Sequence, residues 1–115
     1  MKKDEKIFYL CGQVSGLAPE VYRANFEKAA QIAQELGAEE RNIYNPVAII
    51  EERQAKFERE LSYKEIMEIC MPLVCNSTDI IIMPNWNYSK GARAEVELAN
   101  AIEINKHFLK NDYSL

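Results

Sequence analysis

The chain has 115 residues and a mass of 13.3 kDa, one domain's worth, and a single core at that length buries about two-thirds of the surface the unfolded chain exposes. With 48% hydrophobic and 28% charged residues it has the composition of a soluble globular protein. A net charge of −4 and a pI near 5.1 argue against a broad surface for a nucleic-acid polymer, while a small anion held by local dipoles stays open.

No apolar run approaches the roughly 20 residues that a membrane helix needs, so no membrane partner is expected. The N-terminus, MKKDEKIFYL, lacks the apolar stretch and cleavage site of a signal peptide. Cys11, Cys70 and Cys75 are an odd number without framework spacing and read as free thiols in a reducing compartment. With His107 the one histidine and no CxxC pair, no metal site is expected. The expectation is a cytoplasmic, metal-free single domain over residues 1–115.

Along the chain, Lys6 to Cys11 is a short apolar, aromatic-rich run ending at Gly12, the signature of a buried strand. A turn over Gln13 to Ala18, containing Gly16, precedes Pro19 at a first-turn position. Tyr22, Phe26, Ala29, Ala33 and Leu36 then recur at helical spacing, with Gly37 as the stop. Asn42 to Asn45 reads as a second short strand. The charge-rich stretch Ala48 to Leu61 reads as a partly exposed helix or arm. Ser62 and Glu65 form a capping-box pattern opening a helix through Ile66, Ile69, Cys70 and Leu73, with Pro72 expected to kink or tighten its end.

Asp79 introduces Ile80 to Met83, four apolar residues without polar alternation, as in a parallel strand covered on both faces. Pro84 ends it. A loop, Asn85 to Gly91, leads to a helix from about Ser89 to Asn105, and a last strand is expected around His107 to Leu109. This alternation predicts a small doubly wound, flavodoxin- or Rossmann-like three-layer α/β sandwich with a mostly parallel sheet of four or five strands.

In such a sheet the ligand crevice lies at the C-terminal ends of the strands. That points to the loops Cys11 to Pro19 and Asn85 to Gly91, both preceding helix N-termini, where free backbone N–H groups favour an anion. Ser89 is a natural N-cap and Gly91 permits close approach to the backbone, although an ordinary capped helix has the same features. Neither loop matches a Walker or GxGxxG fingerprint.

At about 100° per residue, the last helix carries Arg93, Glu97 and Asn100 on a wet face. Glu95 falls inside the apolar sector, between Ile102 and Ala99. A carboxylate facing the sheet is costly unless it is ion-paired, hydrogen-bonded or used in chemistry. Glu103 lies too far down the helix to reach the crevice. Tyr9 sits near the same mouth, as core packing with a tethered hydroxyl or as a positioning group. Trp86 and Tyr88 stack on a planar base, or pack locally or at a subunit interface. Asp79 is at the wrong end of its strand and reads as structural.

Tyr9 to Gly16 (YLCGQVSG) and Ser89 to Ala99 (SKGARAEVELA) also resemble the nucleoside 2-deoxyribosyltransferase-like superfamily, which includes the deoxynucleoside 5′-monophosphate N-hydrolases. In the latter a Y-x-C-G strand end accompanies a serine six residues before a catalytic glutamate, the spacing that Ser89 and Glu95 keep. YRANF, the NP after the second strand, C-x-P-L before the D-I-I-I strand and W-x-x-S-x-G-A-x-x-E extend the likeness over roughly residues 6 to 105, closest to a small bacterial and phage branch.

The resemblance implies N-glycosidic bond chemistry on a 2′-deoxynucleoside or its monophosphate, with no cofactor. Glu95 would attack the anomeric carbon and form a glycosyl ester, which water or a second base resolves. Tyr9 would position the sugar and the nucleophile. Ser89 and the Gly91 backbone would hold the 5′-phosphate, with Lys90 and Arg93 adding charge. Cys11, Gly12, Ser15, Gly16 and Trp86 would complete the substrate site.

One departure stands out. The hydrolases carry a leaving-group aspartate eight residues before the strand-opening Asp, and that position here is Met71. Glu65, Glu68 and Asp112 are the substitutes within the chain. The family also implies a homodimer or larger oligomer, with Asn111, Tyr113 and Ser114 available to a neighbouring site. A non-catalytic nucleotide-binding or sensing module is the rival reading, and an enzyme acting on another N-ribosyl compound, such as a nicotinamide nucleotide, is a third.

Overall fold

Buried apolar runs and side-chain caps account for most of the elements in the computed structural model, which describes residues 5–115. The first four residues, on which the reading of the N-terminus partly rests, lie outside the described residues. Strand β1 (Phe8–Cys11) is buried at all four positions. Helix α1 (Pro19–Glu35) starts on its proline and buries Phe26, Ala29 and Ala33 along one face. Gly37, at φ +106°, then turns the chain in a conformation that L side chains rarely adopt.

A single 3₁₀ turn (Glu40–Asn42) leads into β2 (Ile43–Tyr44). This strand is two residues long rather than four, because Asn45 serves the next helix instead. Its Oδ1 accepts the Val47 N–H at 3.1 Å and the Ala48 N–H at 3.4 Å, capping α2 (Pro46–Phe57) with proline in the first turn. The stretch read as a helix or arm from Ala48 is therefore a full helix that starts earlier. It stops at Phe57, where Glu58 takes the left-handed conformation at φ 56°.

Helix α3 (Tyr63–Cys75) opens on the expected capping box: the Ser62 hydroxyl accepts the Glu65 N–H at 3.1 Å and the Glu65 carboxylate accepts the Ser62 N–H at 2.9 Å. It runs on through Pro72, which forgoes one backbone bond near the end of the helix. Strand β3 (Asp79–Ile82) is buried throughout. After a 3₁₀ turn at Trp86–Tyr88, Ser89 caps α4 (Lys90–Ala101) by accepting the Ala92 N–H at 3.2 Å.

Helix α4 ends four residues short of the expected Asn105. Glu103 adopts φ 61° and β4 (Asn105–Phe108) begins where a last helical turn was anticipated. Pairing decides this boundary: Asn105 to Phe108 lie in register with Asp79 to Ile82.

The sheet order is β2-β1-β3-β4 and every pairing is parallel. From β1 the chain winds outward through α1 to β2, and later through α3 and α4 to the other edge, so the order reverses between β1 and β3. Alternation along β1 divides its side chains between two cores. Phe8 and Leu10 pack with Ile81, Met83 and the buried face of α1. Tyr9 and Cys11 pack with Ile80, Ile82 and the inner faces of α3 and α4. The result is the doubly wound three-layer α/β sandwich, with four strands. Among the described residues no helix is long and apolar enough to cross a membrane.

Candidate active site

A cleft of about 350 Å³ opens at the C-terminal ends of β1 and β3, where the strand order reverses. One wall is α2, through Val47, Ile50, Glu51 and Gln54, a run at i, i+3, i+4 and i+7. A second is α3, with the same spacing at Tyr63, Ile66, Met67 and Cys70. Gly12 and Ser15 come from the loop after β1, and Ser89, Gly91, Ala92 and Glu95 from the start of α4.

Glu95 lies on the floor of this cleft and is 7% exposed, as its place in the apolar sector of α4 required. Among the described residues no lysine, arginine or histidine pairs with it. Its partner is Tyr9, fully buried on β1, whose hydroxyl donates to Glu95 Oε2 at 2.7 Å. The alternation of β1 brings the two together, since Tyr9 faces α4 while its neighbours Phe8 and Leu10 face α1. Burial pushes the Glu95 carboxyl up to about 7, against the smaller opposing effect of hydrogen bonds from Tyr9 and Cys11. Burial, reinforced by the charge of Glu95, likewise holds the Tyr9 phenol and the Cys11 thiol well above their ordinary values. Burial takes the Cys70 thiol to about 11. The carboxyl is thus the one member of this cluster that changes charge near neutrality. A carboxylate so desolvated is a nucleophile or a proton acceptor in waiting.

Of the residues singled out from the sequence, Tyr9, Gly12, Ser15, Ser89, Gly91 and Glu95 line the cleft together. Cys11 sits beneath it, its thiol donating to the Ala92 carbonyl at 3.5 Å. Gly16 serves the turn before α1, at φ +85°, and does not line the cleft. Trp86 is not placed to stack on a cleft ligand. It borders a hollow on the far side of α4 with Lys90 and Arg93, its ring 6.0 Å from that of Phe108. The 3₁₀ turn carries Trp86 toward the β4 edge, a direction that loop composition does not specify.

The substitutes for a leaving-group acid also lie elsewhere. Glu65 is held by Arg59 and Ser62, which lower its carboxyl to about 2. Glu68 is exposed, Asp112 is bonded by Ser114, and Met71 is half-buried on α3; none of the three lines the cleft. Asn111 and Tyr113 border a separate hollow beside α1. Asp79, 3% exposed, sits at the N-terminal end of β3, bonded to His107 Nε2 at 2.7 Å and Thr78 Oγ1 at 2.6 Å, a structural role as expected.

Sequence reasoning did not assign α2 and α3 to the cleft. The Asn45-Pro46 start sets the phase of Glu51 and Gln54 along α2, but nothing local specifies which element stands opposite that face. Glu51 accepts the Arg23 Nε–H at 2.8 Å, and the Gln54 Oε1 accepts the Leu61 N–H at 2.9 Å. No group of three or more His, Cys, Asp or Glu side chains among the described residues is arranged to hold a metal ion.

Fold and cleft together define an all-parallel α/β domain with a buried carboxylate–tyrosine pair at its switch point. Residues 6–107 match the family model described as Domain of unknown function (DUF4406), and the chain belongs to that family. No curated protein matches the chain.

Proposed function

We propose that the cleft cleaves the N-glycosidic bond of a (2′-deoxy)nucleoside or its 5′-monophosphate through a glycosyl ester on Glu95. The observation that carries this reading is the 2.7 Å hydrogen bond from Tyr9 to a buried carboxylate that no cation among the described residues pairs with, on the floor of a cleft of about 350 Å³. A carboxylate oxygen of Glu95 attacks C1′ as the bond to the base breaks, and the bond's electron pair leaves with the base. Tyr9 holds the carboxyl in position. Water resolves the ester in hydrolysis, and a second base resolves it in transfer. Ser89 and the free N–H groups opening α4 bind the end of the sugar that carries the 5′ oxygen. The reading includes a homodimer or larger assembly.

The experiment is base release followed by chromatography, with deoxynucleosides, their monophosphates and ribonucleotides, beside the Glu95→Gln variant. Base freed by the native protein and lost in the variant supports the glycosidase. One observation favours a nucleotide-binding module instead: Glu65, Glu68 and Asp112, the substitutes for the leaving-group acid, all lie outside the cleft, and Glu51 within it is tied to Arg23. Ligands that raise the melting temperature without release of base would select that reading.

A further inference from the structure

Among the described residues, the charged side chains lining the cleft are Glu51, Glu60 and Glu95, and no lysine, arginine or histidine lines it. Glu51 is neutralised by Arg23. Glu60, exposed at the rim, has no cation partner among the described residues, and neither has Glu95 on the floor. Arg59, next to Glu60 in the chain, turns its guanidinium to Glu65 and to the Glu60 carbonyl. Lys90 and Arg93 border the hollow on the other side of α4. An anion entering the cleft meets two uncompensated carboxylates with only the N-terminus of α4 in its favour, whereas a cation is drawn in by both.

Within the cleft no acid stands beside Glu95 to protonate a departing base. Glu51 is tied to Arg23, Glu60 lies exposed at the rim, and the other polar side chains of the walls are hydroxyls, the Cys70 thiol and the Gln54 amide. A base that already carries a positive charge needs no proton, because the electron pair of the breaking bond neutralises its ring nitrogen.

Resting on the glycosidase reading, we propose that the substrate is an N-glycoside of a cationic base, a pyridinium or N-alkylated purine nucleoside. A Glu95 oxygen forms a bond to C1′ while the C1′–N bond breaks, its electron pair passing to the ring nitrogen, so that a neutral base departs. Water then attacks C1′, the ester C1′–O bond breaks with its pair returning to the carboxylate, and the proton passes to solvent. Glu60 attracts the cationic ring at the mouth. Glu95 faces the sugar, onto which the positive charge moves in the transition state.

The test measures kcat/KM for base release from nicotinamide riboside and 7-methylguanosine against guanosine, deoxyguanosine and its 5′-monophosphate. Each value is divided by the compound's uncatalysed rate constant, so that intrinsic lability cancels. The cationic nucleosides are expected to exceed the neutral ones by about tenfold or more, the scale of one charge–charge contact. Glu95→Gln should abolish release, and Glu60→Gln should narrow the ratio. A preference between the two cationic probes tells pyridinium from alkylated purine. Equal or better cleavage of the neutral nucleosides or the monophosphate, lost in Glu95→Gln, overturns the cationic-base proposal and leaves the glycosidase reading standing. Release from none of the compounds overturns both.

Discussion

Glu95 is costly where it stands, and the cost is measurable. Facing Tyr9 and Cys11 on β1 and Cys70 on α3, its carboxyl ionises at about 7 in the folded protein against 4.5 as a free group. Between those values the folded state holds a proton that the unfolded state has released. The stability this confers is complete below 4.5 and is lost as pH rises through about 7. The interval corresponds to roughly 3 kcal/mol. Glu95→Gln, which cannot ionise, should therefore gain stability relative to the native protein between pH 5 and pH 8, read from paired denaturant titrations. Parallel curves across that range would mean that the carboxyl is not desolvated. Tyr9→Phe removes a donor that favours the ionised form. Its pH–rate profile for base release should rise at higher pH than the native one, and an unshifted limb would show that Glu95 is not the group being titrated.

At the level of elements, side-chain caps decide where the cleft walls begin. Asn45 holds the first turn of α2 and so sets the phase that brings Glu51 and Gln54 to the cleft. Asn45→Ala should cost about 1 kcal/mol in denaturant unfolding, as loss of a helix cap commonly does. It should also raise deuterium uptake in the first turn of α2. If uptake there is unchanged, the proline at N1 suffices to start the helix. Ser62 and Glu65 act in the same way on α3, with Arg59 donating to both oxygens of the Glu65 carboxylate. Glu65 is thereby committed to structure and withdrawn from chemistry.

For the whole molecule, the sheet order predicts a gradient of protection. β1 and β3 are central, buried on every residue and covered by helices on both faces, while β2 has two residues and β4 is mostly exposed. Native-state hydrogen exchange should leave the β1 and β3 amides last to exchange, with β2 and β4 opening earlier. Equal protection across the four strands would show that the sheet opens only by global unfolding.

Local pattern in the chain was enough for the α/β class, the two central strands, the capping box of α3 and the burial of Glu95, because each depends on periodicity or on a cap within a few residues. The β-α-β alternation likewise made the switch point and its two loops legible before any contact was known. The extents of β2 and β4, the cleft-facing role of α2 and the position of Trp86 were decided only in three dimensions. A strand ends where its partner ends, as Asn105 against Asp79 shows, and a helix face becomes a cleft wall only when another element stands opposite. The hydrogen bond between Tyr9 and Glu95 joins residues 86 positions apart, a pairing set by the alternation of β1 against the packing of α4. Local pattern placed each member of that pair on the right face; only the packed sheet brought them within 2.7 Å.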